Sequence, residues 1–203
     1  MKLIRSMLAL ALLLSLVSSA VALASCEAAL LVVDVQKLYL SWQPWQTAID
    51  EPVLSGVARA IERARDAEVP VIYIQESYPY NLELDDKLPP ELAFPDEIKP
   101  SAGDQIFRKN VQNAFSNPAL SEHLEEEGIT RLLVCGIASN ACVLGTVNAA
   151  IRLGYEVTIV GDAHSEMDGT AEASVYWNQT YERMGVPAPL SCELDWSSFS
   201  CEP

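Results

Sequence analysis

Residues 131–160 read RLLVCGIASNACVLGTVNAAIRLGYEVTIV, and the order of patterns inside them decides the fold. Arg131 to Gly136 is an apolar run of strand length. Ala141 to Leu153 carries apolar residues at helical spacing and is stopped by Gly154. Glu156 to Val160 is apolar and β-branched again. A strand, a helix and a strand with no hairpin turn between them place the two strands parallel, with the helix as crossover.

The same alternation runs outward in both directions. Ala29 to Asp34 reads as a buried first strand. Pro52 to Ala67 reads as a helix, with Val53, Leu54, Val57, Ala58, Ile61 and Ala64 on one face. Pro70 to Gln75 and Gln105 to Arg108 are the second and third strands. Between them, residues 77–103 hold five prolines and many acids and form a long loop. Pro118 to Glu127 is helical and closed by Gly128. Thr170 to Met184 is helical and ended by Gly185, and Pro189 to Cys192 is a short sixth strand. The expected fold is α/β: a three-layer, doubly wound, mainly parallel six-stranded sheet with helices on both faces. It forms one domain over residues 26–195, with a short tail over 196–203. In such a fold the site lies at the carboxyl ends of the strands. The positions that follow strands are Asp34, Gln36, Glu76, Lys109, residues 137–142 and residues 162–165.

Half of the 203 residues are apolar, which supports a packed core and excludes disorder, collagen and coiled coil. The net charge is −15. The first 25 residues hold Lys2 and Arg5 and no acid, so the rest carries −17. A body this acidic is repelled by nucleic acid and by anionic lipid. Lys2 and Arg5 precede an apolar run from Met7 to Ala24, the layout of a secretory signal over residues 1–25. The chain is therefore expected to be exported, periplasmic or extracellular.

Leu23-Ala24-Ser25-Cys26 resembles the bacterial lipobox, in which the cysteine becomes the lipidated first residue. Ordinary cleavage after Ala24 is the alternative. Contact with a membrane is expected only through such a lipid on Cys26. The five cysteines are Cys26, Cys135, Cys142, Cys192 and Cys201. After export, Cys192 and Cys201 can close a small loop with each other, with Cys26 as a competing partner. Cys135 ends an apolar strand and reads as a buried core thiol.

Three strand-end positions form a coherent chemical set: an acid (Asp34), a base (Lys109) and a thiol (Cys142). Cys142 opens a helix after Gly136-Ile-Ala-Ser-Asn-Ala141. A helix N-terminus offers free N–H groups and partial positive charge, and a nearby lysine lowers a thiol pKa further. A carboxylate beside the thiol can take its proton and pass it to a leaving group.

Four segments together resemble the isochorismatase-like cysteine hydrolase superfamily, which includes nicotinamidases and other amidohydrolases. They are Ala29-Leu-Leu-Val-Val-Asp-Val-Gln36, Phe107-Arg-Lys-Asn110, Gly136-Ile-Ala-Ser-Asn-Ala-Cys-Val143 and Ala149 to Ala163. The resemblance implies a catalytic triad of Asp34, Lys109 and Cys142. It also implies a cis peptide at Ile137–Ala138 and an oxyanion hole from the N–H groups of Ala138 and Cys142. It further implies a thioester acyl-enzyme formed from a small carboxamide, no cofactor, and a homo-oligomer.

Nicotinamidases carry an Asp and two His after the second strand to hold a metal. This chain has only His123 and His164, so no metal is expected. His123, in an acidic helix, is expected to be exposed. The aromatic residues Tyr39, Trp42, Trp45, Tyr78, Tyr80, Phe94 and Phe115 lie on loops near the strand ends. Trp42, Tyr78 and Phe115 are expected to wall the substrate pocket, with Gln36 and His164 also at the substrate. Asn178-Gln179-Thr180 matches a glycosylation sequon but falls inside a helix. Two alternatives stand beside the amidohydrolase: a hydrolase of another bond, as isochorismatases cleave a vinyl ether, and a catalytically idle binding lipoprotein.

Overall fold

Six consecutive residues buried on both faces begin the sheet: β1 (Ala28–Val33), Ala-Ala-Leu-Leu-Val-Val. Such a run suits only the centre of a parallel sheet covered on both sides. A short helix, α1 (Lys37–Ser41), and a longer one, α2 (Pro52–Asp66), follow. Next come β2 (Val71–Glu76), β3 (Gln105–Lys109) and α3 (Pro118–Glu126). The chain continues through β4 (Arg131–Ile137), α4 (Cys142–Leu153), β5 (Glu156–Ser165) and α5 (Ala171–Arg183). This is a computed structural model, and it describes residues 27–41, 52–78, 80, 82, 86–166 and 171–201. The signal, Cys26, Trp42 and Trp45 lie outside those residues. No helix among the described residues is long and apolar enough to cross a membrane.

The strands are all parallel, in the order β3-β2-β1-β4-β5. Alternate residues feed two cores. Leu30, Val32, Tyr73, Leu133 and Cys135 pack under α2 with Val57, Ile61 and Trp196. Leu31, Val33, Ile72, Ile74, Leu132 and Val134 pack under α3, α4 and α5 with Leu120, Val143, Val147 and Tyr181. Burying a Leu, Ile or Val side chain stabilises the fold by about 1.5–3 kcal/mol each, so these two layers hold the strand ends rigidly.

Among the described residues the sheet has five strands, not six. The chain after α5 does run beside β5: Ile159 N–H donates to Pro187 O (2.8 Å) and Gly161 N–H to Pro189 O (2.7 Å). Pro187 and Pro189 occupy the positions whose N–H groups would answer, and they have none. β5 also extends to Ser165, past the expected end at Val160. The β4–β5 register shifts between Val134 and Gly136, which brings Gly136 opposite His164.

The segment read as a tail begins with Trp196, which is buried and donates from Nε1 to Ser191 O (2.9 Å). Arg131 donates to Ser198 O (2.8 Å), and its guanidinium lies 4.2 Å from the centre of the Phe199 ring. The packed body therefore reaches Cys201. Cys192 is a free, exposed thiol whereas Cys201 is disulfide-bonded, so the Cys192–Cys201 loop is not formed. His123 is half-buried against Phe107, with ring centres 5.5 Å apart, rather than exposed.

Candidate active site

Three strands and one helix deliver four ionisable side chains to one point at the carboxyl end of the sheet. Asp34 follows β1 with φ 54°, a left-handed conformation that Asp tolerates better than most residues. Glu76 and Lys109 end β2 and β3 and are register partners, so they project to the same side. Cys142 is the first residue of α4. Lys109 Nζ lies 2.7 Å from Asp34 Oδ2 and 2.9 Å from Glu76 Oε2. It also donates to Cys142 Sγ at 3.4 Å.

Gly136 makes this convergence possible. It has φ 117°, and a Cβ there would stand 2.1 Å from Val33 O, so only glycine lets β4 press against the end of β1.

The cluster holds its protons tightly. Burial raises the Asp34 pKa above the ordinary carboxylate value, and the Lys109 charge offsets only part of that. Burial and then the Asp34 charge push the Cys142 thiol up to about 12, against the pull of Lys109. For Lys109, burial is the largest influence and opposes its charge. Asp34, Cys142 and Glu76 outweigh it and hold the ammonium pKa above its ordinary value.

The lowering of the thiol by a helix end and a lysine, expected from sequence, is opposed here by burial and by the Asp34 charge. Activation falls to Asp34. Its buried carboxylate is held by the Lys109 ammonium, 2.7 Å from Oδ2, and has the Cys142 thiol within hydrogen-bonding reach. A carboxylate that already faces the thiol is set to receive its proton.

The Ile137–Ala138 peptide is cis. Ala141, the N-cap of α4, offers no side-chain cap. Among the described residues, the N–H groups of Ala138 and Cys142 donate to nothing. Their neighbours are committed: Ala141 N–H and Val143 N–H to Ala138 O (2.9 and 3.1 Å) and Ser139 N–H to Ser165 O (2.8 Å). Two free donors beside a thiol, at a helix N-terminus, suit a developing oxyanion.

A cavity of about 290 Å³ opens on these groups, lined by Asp34, Glu76, Cys142, Tyr39, Tyr78 and the backbone from Ile137. Asn110, Val111 and Gln112 form the opposite wall. Larger hollows of about 500 and 580 Å³ lie against β3 and between α2, β5 and α5, and neither holds a nucleophile beside a base. Gly145 lets the Gln112 wall rest directly on α4, since a Cβ there would stand 1.7 Å from Gln112 O.

Not every residue expected at the substrate is there. Tyr78 is at the rim, 65% exposed, with its N–H donated to Glu76 Oε1 (2.9 Å). Trp42 lies outside the described residues. Gln36 is instead fully buried: Nε2 donates to Glu76 O and Leu92 O, and Oε1 accepts from Glu76 N–H. It latches β1 to β2 and has no polar atom left for a ligand.

Phe115 turns away and packs beside Tyr155, ring centres 5.5 Å apart, because its short turn sits over α4. Phe94 is buried edge-on against Tyr73. Tyr80 donates to Glu91 at the surface.

His164 is buried behind the loop, not in the cavity. Its Nδ1 lies 2.8 Å from Ser139 Oγ and its Nε2 lies 2.6 Å from Asn178 Oδ1. Since Asn178 Nδ2 donates to Gly161 O, the amide oxygen must accept, and Nε2 of His164 carries the proton. Burial lowers the His164 pKa and keeps the ring neutral. Tyr181 Oη adds a 2.6 Å bond to Ser139 O. The sequon asparagine is thus consumed inside the fold.

Glu76 is the residue the sequence left out of the site. It was visible as a strand end, and only the β2–β3 register shows that it meets Lys109. Asp34, Glu76 and Cys142 bring possible ligand atoms within 4.8 Å of one another, with the Lys109 ammonium already among them as counter-ion.

Comparisons with known proteins identify the family of the chain. The model of the isochorismatase domain matches residues 28–187. A streptothricin hydrolase of Streptomyces noursei is 32% identical over 142 residues, 69% of this chain and 55% of that protein. The chain thus spans about half the length of the streptothricin hydrolases it matches. Ureidoacrylate amidohydrolase RutB of Variovorax paradoxus is 28% identical over 196 residues, 79% of this chain and 78% of that protein. Among solved structures, N-carbamoylsarcosine amidase from Thermoplasma acidophilum superposes with a TM-score of 0.71 at 26% identity. That superposition covers 83% of this chain and 99% of the amidase.

Proposed function

The chain belongs to the isochorismatase family, and from that premise we propose that it is a cysteine amidohydrolase that cleaves the C–N bond of a small carboxamide. The observation that carries the proposal is the position of Lys109 Nζ, within 2.7 Å of Asp34 and 3.4 Å of Cys142, beside two uncommitted N–H groups. Relatives named for amide hydrolysis support it.

In the proposed reaction, Asp34 accepts the Cys142 proton as the sulfur attacks the carbonyl carbon. The oxygen takes the negative charge and is held by the N–H groups of Ala138 and Cys142. As the C–N bond breaks, Asp34 gives its proton to the departing ammonia or amine and leaves a thioester. Water then attacks the thioester, Asp34 takes its proton, and the acid leaves as the thiol is restored. Lys109 remains protonated throughout and holds Asp34 in place. Glu76 holds Lys109. A cysteine nucleophile favours amide chemistry over vinyl-ether cleavage, and the complete cluster argues against an idle binding protein.

The test is ammonia release across a library of primary carboxamides. We expect turnover in the native chain, a thioester adduct on Cys142 by intact mass, and loss of at least ~10³-fold in Cys142→Ala. Undiminished turnover in Cys142→Ala overturns the assignment.

We further propose that the protein is exported and assembles as a homo-oligomer. The N-terminal layout and the disulfide at Cys201 support export. Exposed Val175, Tyr176 and Leu190 on and after α5 supply apolar surface for a subunit contact. Light scattering on the mature chain should give a mass of at least two chains. A monomer contradicts the assembly.

A further inference from the structure

Among the described residues, the cavity is lined by no Lys, Arg or His side chain that could receive an anionic substituent of a substrate. Lys109 sits beneath the floor with no exposed side-chain surface and faces two carboxylates. With one proton shared between Asp34 and Cys142, the set Asp34, Cys142, Glu76 and Lys109 carries a net charge of −1. Adding a second proton brings it to zero, and only protonation of all three acids would leave the Lys109 charge uncompensated.

The remaining lining side chains, among them Tyr39, Tyr78, Asn110 and Gln112, are neutral. The neighbouring cations are engaged elsewhere: Lys37 with Asp96 at 4.0 Å, and Arg108 Nε with Gln75 Oε1 at 2.9 Å. The stretches after residue 26 that lie outside the described residues contain no Lys, Arg or His at all. They do contain Asp50, Glu51, Glu83, Asp85 and Asp168. Wherever those stretches run, they can bring only negative charge to the mouth, in a chain whose net charge is −15.

We infer that the site selects amides whose remainder is neutral or cationic and discriminates against amides that bear a carboxylate or phosphate. This rests on the amidohydrolase reading and names the class of substrate within it. A substrate carboxylate would be desolvated beside Asp34 and Glu76 with no cation to receive it. An ammonium or guanidinium would meet the Asp34 and Glu76 carboxylates instead. In a half-open cavity one like charge several ångströms away is worth about a factor of ten.

Two experiments on the mature chain separate this inference from the hydrolase reading. The first compares three amides that share a three-methylene chain and differ in the terminal group, ammonium, methyl or carboxylate: 4-aminobutyramide, pentanamide and glutaramate. The expected order of kcat/KM is cationic at or above neutral, with glutaramate at least about tenfold below pentanamide. Glutaramate turned over as fast as pentanamide overturns the inference.

The second needs no turnover. Cationic trimethylammonioethyl and anionic sulfonatoethyl methanethiosulfonates transfer their thioalkyl group to Cys142 and release methanesulfinate. Their rate ratio at Cys142, read by mass spectrometry, is expected to exceed the ratio at free 2-mercaptoethanol by about tenfold or more. A ratio at or below the free-thiol value overturns the inference. Silence from all three amides weakens the hydrolase reading, and the thiosulfonate ratio then decides the charge preference by itself.

Discussion

Two buried polar clusters flank the loop from Ile137 to Cys142. In front, Asp34, Glu76, Lys109 and Cys142 bring together two carboxylates, an ammonium and a thiol, with Lys109 Nζ 2.7 Å from Asp34 Oδ2 and 2.9 Å from Glu76 Oε2. Behind, Ser139, His164, Asn178 and Tyr181 form a neutral chain in which donors meet acceptors at 2.6 to 3.0 Å. Such a neutral network fixes a geometry, whereas a charged cluster that opens on a cavity has protons to exchange. The difference assigns chemistry to the front cluster and positioning to the back one. Residue type alone does not separate them, since His164 follows a strand as Asp34 and Lys109 do.

The contrast breaks most visibly at Lys109. Lys109→Met leaves two buried carboxylates facing each other without a cation. Removing one partner of a buried pair destabilises by about 3–5 kcal/mol, so the urea midpoint should fall well below that of the native chain, and turnover should vanish. Adding Glu76→Gln to that variant removes one of the stranded charges and should return part of the stability but none of the activity. Full activity in Lys109→Met contradicts the role given to the front cluster.

The back cluster should respond differently. His164→Ala removes a buried ring and strands the Ser139 hydroxyl and the Asn178 carbonyl. A loss of about 2–4 kcal/mol follows from the cavity and the unmet bonds. In the folded fraction, kcat should fall by about tenfold while KM changes little, because the Ala138 and Cys142 donors serve the transition state. Unchanged kcat would reduce His164 to a packing residue.

How far the sequence reaches follows the same division. Most strands and the four long helices were readable to within a residue or two, because β1 is wholly apolar, β2 opens on Val-Ile-Tyr-Ile and Gly128, Gly154 and Gly185 end their helices at positive φ, whereas β5 runs five residues past its expected end and α1 was not read. Asp34, Lys109 and Cys142 were readable because strand ends converge in a parallel sheet. Gln36 and Phe115 were misplaced because their direction is set by partners 40 or more residues away, Glu76 and Leu92 for Gln36 and Tyr155 for Phe115. The absent sixth strand was legible in principle, since Pro187 and Pro189 alternate along one edge. The thiol pKa was not legible, because charge and helix position can be read from order whereas desolvation depends on packing.

A smaller effect sharpens the front cluster thermodynamically. The folded-state pKa of Asp34 lies above its unfolded value, so the folded chain binds that proton more tightly than the unfolded one. Stability from this group is present below the ordinary carboxylate pKa and is lost as pH rises through the raised one. Asp34→Asn escapes that loss. Its melting temperature should exceed that of the native chain at neutral pH, and the advantage should disappear on acidification below pH 3.8, the ordinary Asp value. An advantage that persists unchanged in acid would point to packing instead of charge.

The most direct test of the shared proton is the rate of iodoacetamide alkylation at Cys142 against pH, in the native chain and in Asp34→Asn. Cys192 serves as the exposed reference thiol and Cys135 as the buried one. In the native chain, Cys142 should reach its maximal rate only far above the ~8.5 of a free thiol, since burial and Asp34 push it up to about 12. In Asp34→Asn the Asp34 charge is gone while Lys109 remains, so the profile should move to lower pH even as amide turnover is lost. A Cys142 profile that stays in place or moves upward in Asp34→Asn contradicts the claim that these two residues share the catalytic proton.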